Sequence, residues 1–317
     1  MNVKNALKIT SVGLAGGGII LRVLSVLYTF DSGTGFYRNQ GALAWISSVF
    51  VLVTAGAAGW MSRQDKKTFF APYSGKPNRL LAVTSFLSGI VILLTAFIQF
   101  RLYLQLRGSA DLLPNEPLVS WIHVAFMVLC VVFAVLQLVL SIPFFAGYNI
   151  FNKIPAIYLI SNLWGVVHTF FVFLYYSHST LLQENIYTVL SSALLLLSLY
   201  YLSRYFAGVG QDQSARMLFA VGFPAVVMNL VHTISNFFIY FILDIHTTLT
   251  KLPIAIQASE FAVALFVFLA LITIRKFDLQ EPAGSRKVKN RQYTSIMTKT
   301  SLPTDKSSEK EKRMKIN

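Results

Sequence analysis

Two groups of opposite charge, Arg22 and Glu260, sit deep inside long apolar runs of this chain. In hydrocarbon a charge costs several kcal/mol unless it is paired or hydrated, so each such residue needs a partner or a task. Counted from the expected span ends at Phe30 and Leu252, each lies eight residues in. At a rise of about 1.5 Å per residue both fall about 12 Å below the same boundary. Arginine does not lose its proton in a protein, and Glu260 reads as the one acidic residue at that level. The sequence therefore predicts a buried Arg22–Glu260 ion pair and adjoining first and eighth helices.

The five histidines fall in the same half. His168 lies eight residues from its span end, His232 ten and His123 five, while His178 and His246 lie in or near loops. With Asn162, Asn229, Asn236 and Gln257 they predict a polar chamber opening away from the cytoplasm. Gln257 and Glu260, one helical turn apart, share a face of it. In such a chamber Arg22 would attract a small anion, Glu260 would compete for Arg22 or carry a proton, and imidazoles would change charge near neutral pH. Two other readings stay open. One is a sensor or assembly subunit whose polar groups only lock helices together. The other is a b-type haem held between His168 and His232, or using His123 as a ligand.

Other chemistries lack their residues. The chain has no His-Glu-x-x-His, no phosphate-cradling glycine loop, no Gly-x-Ser-x-Gly and no nucleophile and base at defined spacing, so an enzyme is not the favoured reading. The single cysteine, Cys130, permits neither an internal disulfide nor a cysteine zinc site. No cofactor or metal is expected. The Asp31-Ser-Gly-Thr-Gly segment reads as turn chemistry, and Val167-His168-Thr169 is echoed faintly by Val231-His232-Thr233.

What must hold these groups is a bundle. An apolar helix of about 20 residues crosses a hydrocarbon core of roughly 30 Å. Eight runs qualify, at 8–30, 41–61, 80–100, 118–142, 154–176, 185–205, 215–242 and 252–274, in a composition that is 55% hydrophobic and 13% charged. The expected class is an all-α polytopic membrane protein, an eight-helix domain over 1–275 with a flexible basic tail over 276–317. Polar stripes mark the inward faces: Ser120, His123, Met127, Cys130, Ala134, Gln137 and Ser141 in the fourth span, and Gly222, Ala225, Asn229, His232 and Asn236 in the seventh. Shorter stripes are Ala15, Gly18, Arg22, Ser25 and Thr29 in the first span and Ser85, Ser88, Thr95 and Gln99 in the third.

Orientation follows from the basic residues. With the N-terminus inside, the inner segments carry ten Lys and Arg and the outer loops four, and the tail from Arg275 adds twelve inside. Both termini are thus expected in the cytoplasm. Half of the net charge of +14 lies in that tail, which suits anionic lipid headgroups rather than nucleic acid. No Asn-x-Ser/Thr acceptor occurs, so the expected location is a bacterial cytoplasmic membrane; protein partners are not specified.

Overall fold

Residues 9–10, 17–31, 36–63, 69–108, 117–176, 182–242, 252–277 and 279–280 are described by the computed structural model. Residues 1–66 and 70–279 form one compact unit; of a second, comprising 67–69 and 280–317, only Phe69 and Gln280 are described. The expected tail, apart from 276–277 and 279–280, lies outside the described residues, as do His178, His246 and the Gly33–Gly35 turn.

Among the described residues the chain is helical, with only two-residue strands beside the helices. The helices are α1 (Ile19–Thr29), α2 (Ala42–Arg63), α3 (Arg79–Gly108), α4 (Pro117–Ala146), α5 (Leu159–Tyr176), α6 (Leu182–Phe206), α7 (Gln211–Ile242) and α8 (Ile254–Phe277). Seven of them, α2 to α8, are long and apolar enough to cross a membrane, which makes this an integral multi-pass protein. Within the first expected span, α1 is an 11-residue apolar helix. A short antiparallel hairpin, Phe30–Asp31 against Phe36–Tyr37, joins it to α2. Leu, Ile, Val, Phe and Trp side chains such as Ile46, Val53, Leu80, Phe97, Trp121 and Phe170 turn outward. Such wide apolar cover is what lipid contact requires and water does not tolerate.

Helix contacts close a ring. α3 packs on α4, α4 on α5, α5 on α6, α6 on α7, α7 on α8, and α8 back on α3. α1 and α2 lie outside it against α7, which is the most enclosed helix. Of the predicted inward stripes, Met127, Cys130, Ala134 and Gln137 of α4, Ser85, Ser88, Thr95 and Gln99 of α3, and Ala225, Asn229, His232 and Asn236 of α7 are buried, whereas Ser141 and Thr29 are half-buried; the side chains of Ala15 and Ser120 lie outside the described residues. At the end away from the hairpin the ring is filled by aromatic side chains. Phe151 stacks on Phe206 with centroids 4.4 Å apart, and Phe144, Tyr158, Phe266 and Tyr73 close around them. There Asn78 caps α3 through Leu81 N–H at 3.1 Å and donates to Thr273 of α8 at 2.7 Å.

Pro224 breaks the backbone ladder of α7, since it has no N–H to give the carbonyl of Ala220. That freed oxygen faces Gly59 of α2, where an added Cβ would lie 2.5 Å from it and 2.9 Å from the proline ring. Only a hydrogen at this position lets α2 sit against the proline turn. Gly59→Ala is expected to force the two helices apart and destabilise the protein by about 1–3 kcal/mol. Gly56, with open space around it, is the control: Gly56→Ala should leave the denaturation midpoint in detergent unchanged or raised.

Candidate functional site

Arg22 reaches from α1 into the seam between α6 and α7. Its Nη2 donates to Glu184 Oε2 at 2.6 Å and to Asn236 Oδ1 at 3.2 Å, and both ion-pair partners are at most 2% exposed. Glu184 stands in the first turn of α6, where the helix dipole favours an anion. Tyr37 of the hairpin donates to its other oxygen at 3.4 Å. Burial and the neighbouring carboxylate push the Tyr37 phenol above its ordinary pKa, so it stays a donor. Tyr187, one turn along α6, lays its ring against the guanidinium at 4.4 Å and against His232 at 5.7 Å.

Asn236 is the junction of this cluster. One amide proton goes to Gln257 Oε1 at 2.9 Å and the other points to His232 Nε2 at 3.3 Å. This assigns Nε2 as the acceptor and leaves the ring proton on Nδ1, which has no hydrogen-bond partner. Gln257 in turn donates to Leu252 O at 2.8 Å. Four helices thus converge on one fully buried network, from α1 through Arg22 to α8 through Gln257.

A second cluster occupies the ring itself. His168 of α5 and Glu260 of α8 come from helices on opposite sides of the ring, and Nε2 lies 3.4 Å from Oε1. The pair is in ionic range but is not hydrogen-bonded, and neither carboxylate oxygen has a hydrogen-bond partner. Trp164 stacks on His168 at 4.8 Å and gives its indole N–H to Cys130 Sγ at 3.2 Å. Phe126, itself stacked on Phe171 at 4.4 Å, lies on the hairpin side. Aromatic layers thus stand on both sides of the pair.

The predicted Arg22–Glu260 ion pair is therefore overturned. α1 packs on α2 and α7, and Arg22 meets α8 only through Asn236 and Gln257, while Glu260 turns to His168. The counter-ion is Glu184, which the expected start of the sixth span at 185 left outside the apolar region by one residue. A signal was present: Glu184, Tyr187 and Ser191 share one face at i, i+3 and i+7, and all three are buried. Tyr37, Tyr187 and Trp164 were likewise not predicted.

Of the other expected lining residues, His123 is enclosed by Tyr103, Phe171 and Tyr175, near Phe126 rather than in either cluster. Asn229 ties α7 to Ser191 O of α6 at 3.0 Å, one turn below His232. Asn162 joins Ser203 at 2.8 Å, near the far end of α6, and belongs to neither cluster. The echo between the two Val-His-Thr segments extends to their threonines, each bonded to the carbonyl four residues back. Arg22, His123, His168, Asn229, His232, Asn236, Gln257 and Glu260 are all at most 4% exposed. Instead of lining an open vestibule, these side chains are occluded in this conformation.

Among the described residues no three His, Cys, Asp or Glu side chains gather as a metal site. Compared with known proteins, the chain matches no family model, no curated protein and no solved structure.

Proposed function

We propose that this protein binds, and carries across a bacterial cytoplasmic membrane, a small anionic solute at Arg22. In this reading eight helices span the bilayer with both termini in the cytoplasm, the hairpin end faces outward, and the basic tail lies against anionic lipid. The observation that supports it is the company Arg22 keeps. A buried guanidinium is held by a detachable carboxylate and by neutral groups that can serve an incoming anion: Asn236, Tyr37 and, behind them, Gln257 and His232. Its Nε has no hydrogen-bond partner. Glu184 occupies the place of a solute carboxylate, and an arriving anion exchanges with it for the same fork of donors. The aromatic plug at the opposite end supports an occluded state that opens on one side at a time.

The exchange makes an uncommon sign prediction. In proteoliposomes offered phosphate, sulfate and short carboxylates, Arg22→Leu should weaken binding of the accepted anion by about tenfold or more, because a charge-assisted hydrogen bond is removed. Glu184→Gln should strengthen it, because the internal competitor is neutralised. Equal binding by the wild type and both variants across that panel defeats the reading.

A second reading is favoured by the closure of the Arg22 network: a sensor or assembly subunit in which these groups only lock helices. It expects both replacements to lower stability while no anion binds. A haem between His168 and His232 would require Trp164 and Tyr187 to leave the ring faces that they now cover. Absence of a Soret band from protein made in haem-replete cells would dismiss it.

A further inference from the structure

We propose that His168 and Glu260 form a proton-binding site, holding one proton between them at neutral pH inside the six-helix ring. The site goes beyond the anion reading, which needs only Arg22 and its neighbours. Both carboxylate oxygens of Glu260 and Nε2 of His168 lack hydrogen-bond partners, although the two groups stand 3.4 Å apart. Glu260 is wholly buried and His168 nearly so, with Phe126 and Trp164 against the imidazole. A buried carboxylate without a protein donor or a permanent cation beside it is a costly occupant of such a space.

Among the described residues, no ion pair reaches Glu260 other than that from His168. Two titratable groups of the surrounding helices are engaged elsewhere: the Cys130 thiol on α4 receives the Trp164 indole N–H, and His232 on α7 turns its Nε2 to Asn236. Beyond Gln257 stand Arg22, Glu184 and Tyr187, and there the guanidinium is matched by the Glu184 carboxylate. His123 on α4 is separated from His168 by Phe126 and Phe171. One proton taken from water therefore makes the pair neutral, either as carboxylic acid beside imidazole or as carboxylate beside imidazolium. A second would leave a net positive pair, and none a net negative one. Two helices on opposite sides of the ring thus meet through a group whose charge is set by a single proton. A small rotation of α5 or α8 that admits water would let that proton exchange.

Infrared difference spectroscopy on the full-length protein in lipid tests this without any solute. With ring-labelled histidine, the expected result at neutral pH is one of two spectra. Either a protonated-carboxyl stretch is lost in Glu260→Gln and displaced in His168→Gln, or an imidazolium signal is lost in both variants. An anionic pair with neither signal, or both signals at once, overturns the proposal. So does a carboxyl signal that His168→Gln leaves unmoved. If either variant fails to fold, titrating the wild type from neutral to alkaline pH still decides it: one signal must disappear, and none doing so refutes exchange of the proton. Because no anion is added, this can fail while binding at Arg22 stands, and the reverse.

Discussion

Glu184→Leu is expected to destabilise the protein by roughly 3–5 kcal/mol, and more than Arg22→Leu does, although each removes the same ion pair. The asymmetry lies in what is left behind. Without Glu184, the guanidinium keeps, among the described residues, Asn236 and the Tyr187 ring as close partners, and it cannot shed its proton to become neutral. Without Arg22, the Glu184 carboxylate keeps the Tyr37 hydroxyl and the favourable N-terminal end of its own helix. Removing both partners removes both stranded groups, so the loss in the double replacement should fall well short of the sum of the single losses. Neighbours in one network couple by about 0.5–3 kcal/mol, and here the coupling should reach the top of that range. Denaturation of the four proteins in one detergent checks it. Additive losses would mean that the contact carries no net interaction, and equal single losses would refute the asymmetry.

The same pair marks where sequence reading reached its limit. Inward faces were legible, because small and polar residues at helical spacing in an apolar background can point only toward protein. Arg22, His168, His232 and Glu260 are buried. Depth, however, gives a level and not a direction around the axis. Arg22 and Glu260 share a level, but α7 stands beside α1, and Glu260 looks across a ring whose closure by α3 on α8 leaves no periodic trace in the sequence. Glu184 was missed for a different reason. Span ends drift by about 2–4 residues when read from hydropathy, and a charged first turn of a helix resembles the end of a loop. The stacked aromatics were hidden by abundance, for with 26 Phe and 14 Tyr no single ring stands out.

Trp164→Ala is expected to cost about 3–5 kcal/mol, the range for emptying a buried tryptophan site. Trp164 is fully buried at the floor of the proton pair, packed on Phe133 at 4.9 Å and on His168 at 4.8 Å. The hole would open directly under the imidazole, so the ring would tilt away from Glu260 as well. Trp164→Phe separates the two effects. A phenyl ring restores most of the stack and forfeits only the indole donor to Cys130, whose sulfur is a weak acceptor, so its loss should stay within about 1.5 kcal/mol. The signal of the shared proton should survive in Trp164→Phe and shift or broaden in Trp164→Ala. If alanine unsettled stability but left that signal untouched, Trp164 would be a filler of space, and the alignment of His168 would have to come from Phe126 and the helix alone.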